Sequence, residues 1–236
     1  MSPIYTPGKL VLKKDSVAVD PNTDPNIASV SLLLSGNGIN GSTSIIDSSP
    51  SPKTVTAFGN AQISTAQSKF GGTSIAFDGT GDYMQTTTAI SINTSEDYTI
   101  ECWVRLSGAQ NSAVIVIGNG WNQANSFCVG TFTGNWVFSV GSTFNNVIAS
   151  YATDSWDHIA VTRSGGNTNT FWLNGASQAV ISTTTSFSGI TGVSLVNVSP
   201  FTSATLNGYI NDFRITKGVA RYTANFTPPT APFPNY

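Results

Sequence analysis

Few side chains in this sequence could break a bond. It has two glutamates, Glu96 and Glu101, and one histidine, His158. Glycoside hydrolysis needs two carboxyl groups flanking one bond. Glu96 and Glu101 are five apart and fall on opposite faces if both belong to one strand. Asp78, Asp82, Asp154 and Asp157 all sit in turn-rich contexts. His158 stands alone as a base, and one histidine with two cysteines 26 positions apart gives zinc no ligand set. The run from Gly36 to Gly41 has the glycine spacing of a dinucleotide loop. Residues 42–50 cannot continue as the helix that would hold the pyrophosphate, so a tight loop is expected.

Recognition chemistry is better represented. A sugar needs an aromatic face for its C–H groups and amides for its hydroxyls. Trp121 lies in GNGWNQAN (118–125), where Asn119, Asn122 and Gln123 surround it and no apolar neighbour draws the ring inward; the alternative is a loop tryptophan packed against its own sandwich or a neighbouring subunit. Trp136 begins a strand and is the second candidate. In YTIECWVRL (98–106), Tyr98, Ile100, Cys102, Val104 and Leu106 share one face and should point inward. Trp103 is then on the outer face between Glu101 and Arg105, either covered by a loop or part of a binding surface.

These residues need a scaffold of strands. The chain has 236 residues, of which only 9% are charged and 39% hydrophobic, against about 25% charged in average soluble proteins. Its neutral, hydroxyl- and amide-rich composition suits sheets and turns. Short apolar runs recur at 30–34, 54–58, 73–77, 98–106, 114–117, 127–132, 136–140, 157–162, 170–173, 178–181, 193–198 and 209–215. They are separated by Gly, Asn, Ser and Asp, as in an antiparallel sandwich. Asn174-Gly175 predicts a two-residue hairpin turn. The nearest approach to a helix is one turn at 217–222. A net charge of −2 gives no grip on a polyphosphate backbone, so nucleic acid is not an expected partner. No apolar run nears the roughly 20 residues of a membrane span.

Residues 1–28 read as a docking arm and linker ahead of one domain at 29–236. Lys9, Lys13 and Lys14 concentrate positive charge in the arm, which is expected to dock on its own domain or a neighbouring subunit. Pro and Gly interrupt the place where a signal peptide carries its apolar stretch, so export by that route is not expected. Cys102 and Cys128 read as two buried thiols in preference to a disulfide. The four Asn-x-Ser/Thr sequons follow from composition.

Five segments together resemble a laminin-G-like, concanavalin A-like domain: FGGTSIAFDG (70–79), YTIECWV (98–104), WDHIAVTR (156–163), FWLNG (171–175) and GYINDFRI (208–215). The implied fold is all-β, an antiparallel two-sheet jelly-roll sandwich with a short N-terminal arm. TKGVARYTANFTPP (216–229) and SLLLSGNGING (31–41) are similar to a narrower group, the laminin-G-like domains of bacteriophage virion proteins, particularly from phages of cyanobacteria.

That resemblance implies a non-catalytic virion protein on a tail, fibre or capsid. It would bind host-surface polysaccharide, contact other virion proteins, and stand as a homo-oligomer on a particle assembled in the host cytoplasm. The alternatives are a purely architectural decoration or tail subunit, and a remnant glycoside hydrolase. Related domains often hold a structural ion where Asp47 and Asp212 stand, so the resemblance implies one Ca²⁺ there, with Asp78 and Asp82 a weaker second place; the alternative is that Asp47 caps a turn and Asp212 hydrogen-bonds Arg214 or a loop amide. The resemblance also implies that His158 is structural and that Trp156 and Trp172 are buried.

Overall fold

The computed structural model describes residues 23–118, 120–188, 193–195 and 206–236. Lys9, Lys13 and Lys14 of the expected arm, and Asn119, lie outside them. In chain order the strands are β1 (Val30–Leu34), β2 (Val55–Phe58), β3 (Gln62–Ser64), β4 (Ser74–Asp78), β5 (Tyr83–Thr86) and β6 (Ser91–Ile92). β7 (Tyr98–Leu106), β8 (Ser112–Ile117), β9 (Phe127–Phe132), β10 (Asn135–Val140), β11 (Thr143–Ser150) and β12 (Trp156–Ser164) follow. The last are β13 (Thr168–Leu173), β14 (Ala176–Ser182), β15 (Phe187–Ser188), β16 (Val193–Leu195) and β17 (Asn207–Lys217). One 3₁₀ turn, Ile27–Ser29, precedes them.

Two antiparallel sheets face each other. The first runs β14-β13-β12-β7-β17-β4-β3 with β1 added on β17, and the second runs β11-β10-β9-β8-β16-β5-β2. Alternation decides what lies between them. Tyr98, Ile100, Cys102, Val104 and Leu106 all point into the shared core, as the pattern predicts. Phe127, Val129, Trp136 and Phe138 meet them from the second sheet. Asn174 and Gly175 both have positive φ, 49° and 81°, and join β13 to β14 as the two-residue turn requires. Residues 36–41 form a loop, with Gly36 and Gly41 at φ 76° and 82°.

Two sequence expectations fail locally. Residues 218–222 are irregular, because β17 runs on to Lys217 and Gly218 at φ 73° ends it. β3, β5, β6, β11 and β15 were not expected. Most are very short, and the sequence TFNNVIAS of β11, which forms a sheet edge, shows no alternation of apolar and polar residues.

The outer face of the first sheet is closed by the C-terminal segment, 218–236, which crosses it as a strap. Thr99 Oγ1 donates to the Val219 carbonyl and accepts from the Arg221 amide. Phe226 packs on Trp172 and His158, and its amide donates to the Gly175 carbonyl. A Cβ on Gly175 would stand 1.9 Å from the Phe226 carbonyl oxygen, so only glycine admits the strap there. Phe233 joins Val30, Leu33 and Ile27 in a small apolar cluster under its far end.

Beneath the strap lies a buried ion cluster. The Arg214 guanidinium donates to Glu101 Oε1 at 2.7 and 3.0 Å and to Asp24 Oδ2 at 3.0 Å. Arg221 donates to both Asp24 oxygens, at 2.7 and 3.0 Å, and the Tyr222 hydroxyl donates to Glu101 Oε2 at 2.8 Å. Asp24, read as linker in the sequence, is therefore an integral ligand of two arginines. Burial alone would raise the Glu101 carboxyl, but Arg214 and then His158 outweigh it and hold it down to about 2.

Asp212 behaves oppositely. It occupies the bulge of β17 at φ 49°, a conformation Asp and Asn tolerate. Its carboxyl is 1% exposed and accepts the Phe233 amide. Burial pushes it up to about 7, with the Phe233 amide and Arg214 offsetting only part.

The two shifts have opposite signs in stability. Glu101 stabilises the fold above its ordinary 4.5, and that contribution is lost as pH falls from there towards 2. Asp212 costs stability that is fully present above about 7 and vanishes as pH falls towards its ordinary 3.8. Melting should therefore be highest near pH 4–5. Asp212→Asn, which keeps an acceptor for Phe233, should raise the melting temperature at pH 8 by several degrees and have progressively less effect as pH falls to 3.5. Thermal melts of both proteins across pH 3–9 measure this; an equal shift at every pH would refute it.

Candidate functional site

On the second sheet the outward side chains are unusually apolar. Ala113, Val116 and Cys128 project from β8 and β9 and form a cluster beneath Trp121, which lies across them half-buried. Gly130 makes this possible. It faces Ala113 on the neighbouring strand, and a Cβ there would stand 2.8 Å from Trp121 Cζ2. Glycine in the middle of a strand marks a close approach, here of an indole. Phe144 from β11 meets Trp121 edge to face, with ring centroids 6.1 Å apart at 79°.

Together they open a groove of about 440 Å³ lined by Asn111, Ser112, Trp121, Thr131, Phe132, Val137 and Phe144. Its size falls within the range of about 300–1,000 Å³ usual for small-molecule sites. None of the lining residues is charged. Phe132 and Phe144 keep 52% and 41% of their surface in solvent, so aromatic carbon is available to a ligand. The polar groups are largely spent on the protein. Thr131 Oγ1 donates to the Gln110 carbonyl and accepts from the Ser112 amide, while Asn111 Oδ1 accepts the Thr133 amide.

Of the sequence candidates among the described residues, the structure brings Trp121 alone into this groove. Asn122 and Gln123 are exposed beside it but do not line it. Asn122 and Asn125 stand at φ 53° and 59°, so part of the amide richness of this loop serves its backbone turns. Trp136 is a correction. It is fully buried on the inner face of β10, packed against Phe171 and Tyr151, because alternation sends Asn135 and Val137 outward instead. Phe132, Val137 and Phe144 escaped the sequence reading, although Gly130 within an apolar strand was a usable signal.

The other candidates have structural roles. Trp103 is covered, with Lys69 Nζ 3.8 Å from its ring and Phe70 against its edge. Trp172 is buried and donates to Thr162 Oγ1, whereas Trp156 is only half-buried. His158 is enclosed by Trp103, Tyr222 and Phe226, with Nε2 3.3 Å from Glu101 Oε2.

The donor set does not fit the expected calcium ion. Asp47 caps a turn: Oδ1 accepts the Leu33 and Ser49 amides, and Oδ2 accepts the Ser49 hydroxyl and the Lys53 amide. Both its oxygens are taken, and Asp212 is held as described above. Asp78 and Asp82 likewise organise their own turn, accepting the amides of Thr80, Asn60 and Asp78 itself. Among the described residues no three His, Cys, Asp or Glu side chains form a metal-binding group.

Residues 78–221, more than half of the chain, match the concanavalin A-like lectin/glucanases superfamily. The chain belongs to that superfamily. A search of curated proteins finds no significant match. Among solved structures, the chain is similar to the binding domain of Paraclostridial Mosquitocidal Protein 1, at 16% identity and a TM-score of 0.63, covering 83% of this chain and 50% of that one. It is also similar to the botulinum neurotoxin serotype D binding domain, at 15% identity and a TM-score of 0.59, over 82% of this chain and 49% of that one. A botulinum neurotoxin type C structure gives 17% identity and 0.57, over 81% and 48%. The chain thus spans about half the length of these toxin structures, and the likeness is one of fold. The superfamily match ends at Arg221, so most of the strap lies beyond it.

Cys102 and Cys128 are free and buried, and burial pushes both thiols up, out of the reactive range. Cys128 lies under Trp121, whereas Cys102 lies between the sheets. Trp121→Ala should therefore raise the rate of Cys128 labelling by a disulfide reagent at least tenfold and leave Cys102 silent. Mass mapping of the labelled cysteine checks this. Equal labelling of both would mean that the sandwich had opened instead.

Proposed function

We propose that this chain is a non-catalytic adhesion module that binds carbohydrate through the groove under Trp121 and is carried on a bacteriophage particle. The observation that carries the reading is the groove itself: three aromatic side chains, part-exposed and uncharged, on a sheet face where polar residues are the rule. Such a surface suits the C–H face of a sugar. The fold relatives support it, since they are binding domains of toxins, and botulinum neurotoxin type C depends on interaction with two ganglioside molecules. The placement of the acids argues against hydrolysis. Glu101 is locked under the strap, Glu96 accepts the Asn93 amide in a turn, and no carboxylate lines the groove.

The virion placement draws on the similarity of residues 31–41 and 216–229 to phage domains. A single neutral groove binds weakly, and a particle bearing many copies multiplies that affinity without any new contact. Other virion proteins and further copies of this chain are then its partners, with residues 1–28 the expected point of attachment.

Particles or multivalent beads carrying the chain should bind host cells and a subset of a glycan array. Trp121→Ala or Phe144→Ala should reduce that binding at least tenfold. Chelating calcium should leave it unchanged, given how Asp47 and Asp212 are used. A flat array for the wild-type chain, with particles that still need it to assemble, would replace this reading with the architectural one.

A further inference from the structure

Two of the three rings of the groove, Trp121 and Phe144, meet at 79°, making a corner and not a shelf. Val137 closes the wall beside Trp121 and Phe132. The Ser112 and Thr131 hydroxyls face each other at 3.3 Å, and Thr131 is further tied to the Gln110 carbonyl. A ligand hydroxyl pushed into this corner would lose water and meet carbon, which is costly for a polar group. An alkyl substituent there would lose only unfavourable hydration. Asn111, exposed at the rim, is placed to meet the hydroxyls that stay outside. The absence of charge in the lining disfavours acidic sugars, which would arrive without a counter-ion.

We propose that the groove selects a neutral sugar whose apolar face stacks on one ring while a methyl substituent fills the corner, that is, a 6-deoxyhexose in preference to the fully hydroxylated hexose. This rests on the reading of the groove as a sugar platform and sharpens it to a chemical class. One or two sugar units at a chain end fit the volume better than a long polysaccharide segment.

The test uses two ligand pairs that each differ by one hydroxyl. These are methyl α-L-fucopyranoside with methyl α-L-galactopyranoside, and methyl α-L-rhamnopyranoside with methyl α-L-mannopyranoside. Binding to the full chain is followed by saturation-transfer NMR and titration. In at least one pair the deoxy sugar should bind ten times more tightly or better. The C6 methyl protons should receive the strongest saturation, and Trp121→Ala should abolish the signal. Val137→Thr, similar in shape, puts a hydroxyl in the wall and should reduce the preference severalfold. Because Val137 is only 2% exposed, the melting temperature should also fall by a few degrees, so binding is compared well below it.

Equal binding within both pairs would overturn the methyl selection and leave the sugar platform standing. Binding of none of the four, with a flat glycan array, would overturn both. Binding of octyl glucoside but not methyl glucoside would also overturn both, assigning the corner to an alkyl chain.

Discussion

The pairing of Glu101 with Arg214 is the constraint on which the rest of the architecture turns. It joins β7 to β17 at the centre of the first sheet, and through Asp24 and Arg221 it ties both ends of the described chain to that centre. Buried ion pairs rarely add net stability over well-packed apolar residues, but removing one member costs about 3–5 kcal/mol because a charge is left alone. The value of this cluster is positional. A strap containing four prolines and no regular structure has its path fixed by these charges, by hydrogen bonds to Thr99 and Gly175, and by two aromatic anchors, Phe226 and Phe233.

Closing one face decides what the other can do. The outer side of the first sheet carries the charged and aromatic side chains that a sequence reader would suspect of chemistry: Glu101, Trp103, His158, Trp172 and Arg214. All of them are buried beneath the strap or the Lys69–Phe70 segment. The second sheet has the reverse pattern. Its outer side chains around β8–β10 are small or apolar, and among the described residues the Trp121 loop covers them through its indole. Chemistry-bearing groups are thus consumed by architecture, and the accessible concave surface is neutral carbon with a polar rim.

Much of this was legible in the sequence, for reasons that can be named. Period-two alternation in 98–106 assigned every inward residue of β7 correctly, because a central strand has both faces buried and cannot tolerate a register error. Asn174-Gly175 gave its turn because few dipeptides accept two positive φ values in succession. Trp136 misled, since a tryptophan at the start of a strand can face either way, and only the strand parity, unknown until its pairing with β9 is seen, sends the ring inward. The groove was half legible. Trp121 could be read from its lack of apolar neighbours in the chain, but the apolar neighbours it does have, Ala113, Val116 and Cys128, come from two strands on either side of its loop. Asp47 and Asp212 show the same limit: sequence supplies the carboxylate, and only the fold reveals which main-chain amides have already claimed it.

The role of Gly130 shows why a contact surface could arise here without any catalytic group. A side chain at that position would collide with the Ser112 carbonyl as well as with the indole, so the strand pairing and the seat of Trp121 depend on the same missing Cβ. The indole in turn shields Cys128 and forms one wall of the groove. Packing and groove shape are therefore joined at one spot: the ring that completes the outer layer of the sandwich is also a wall of the groove. Glycoside hydrolysis on this face would need two carboxylates flanking the groove, and none of its lining residues is charged. Binding asks only that the indole and its neighbours stay where the fold has put them.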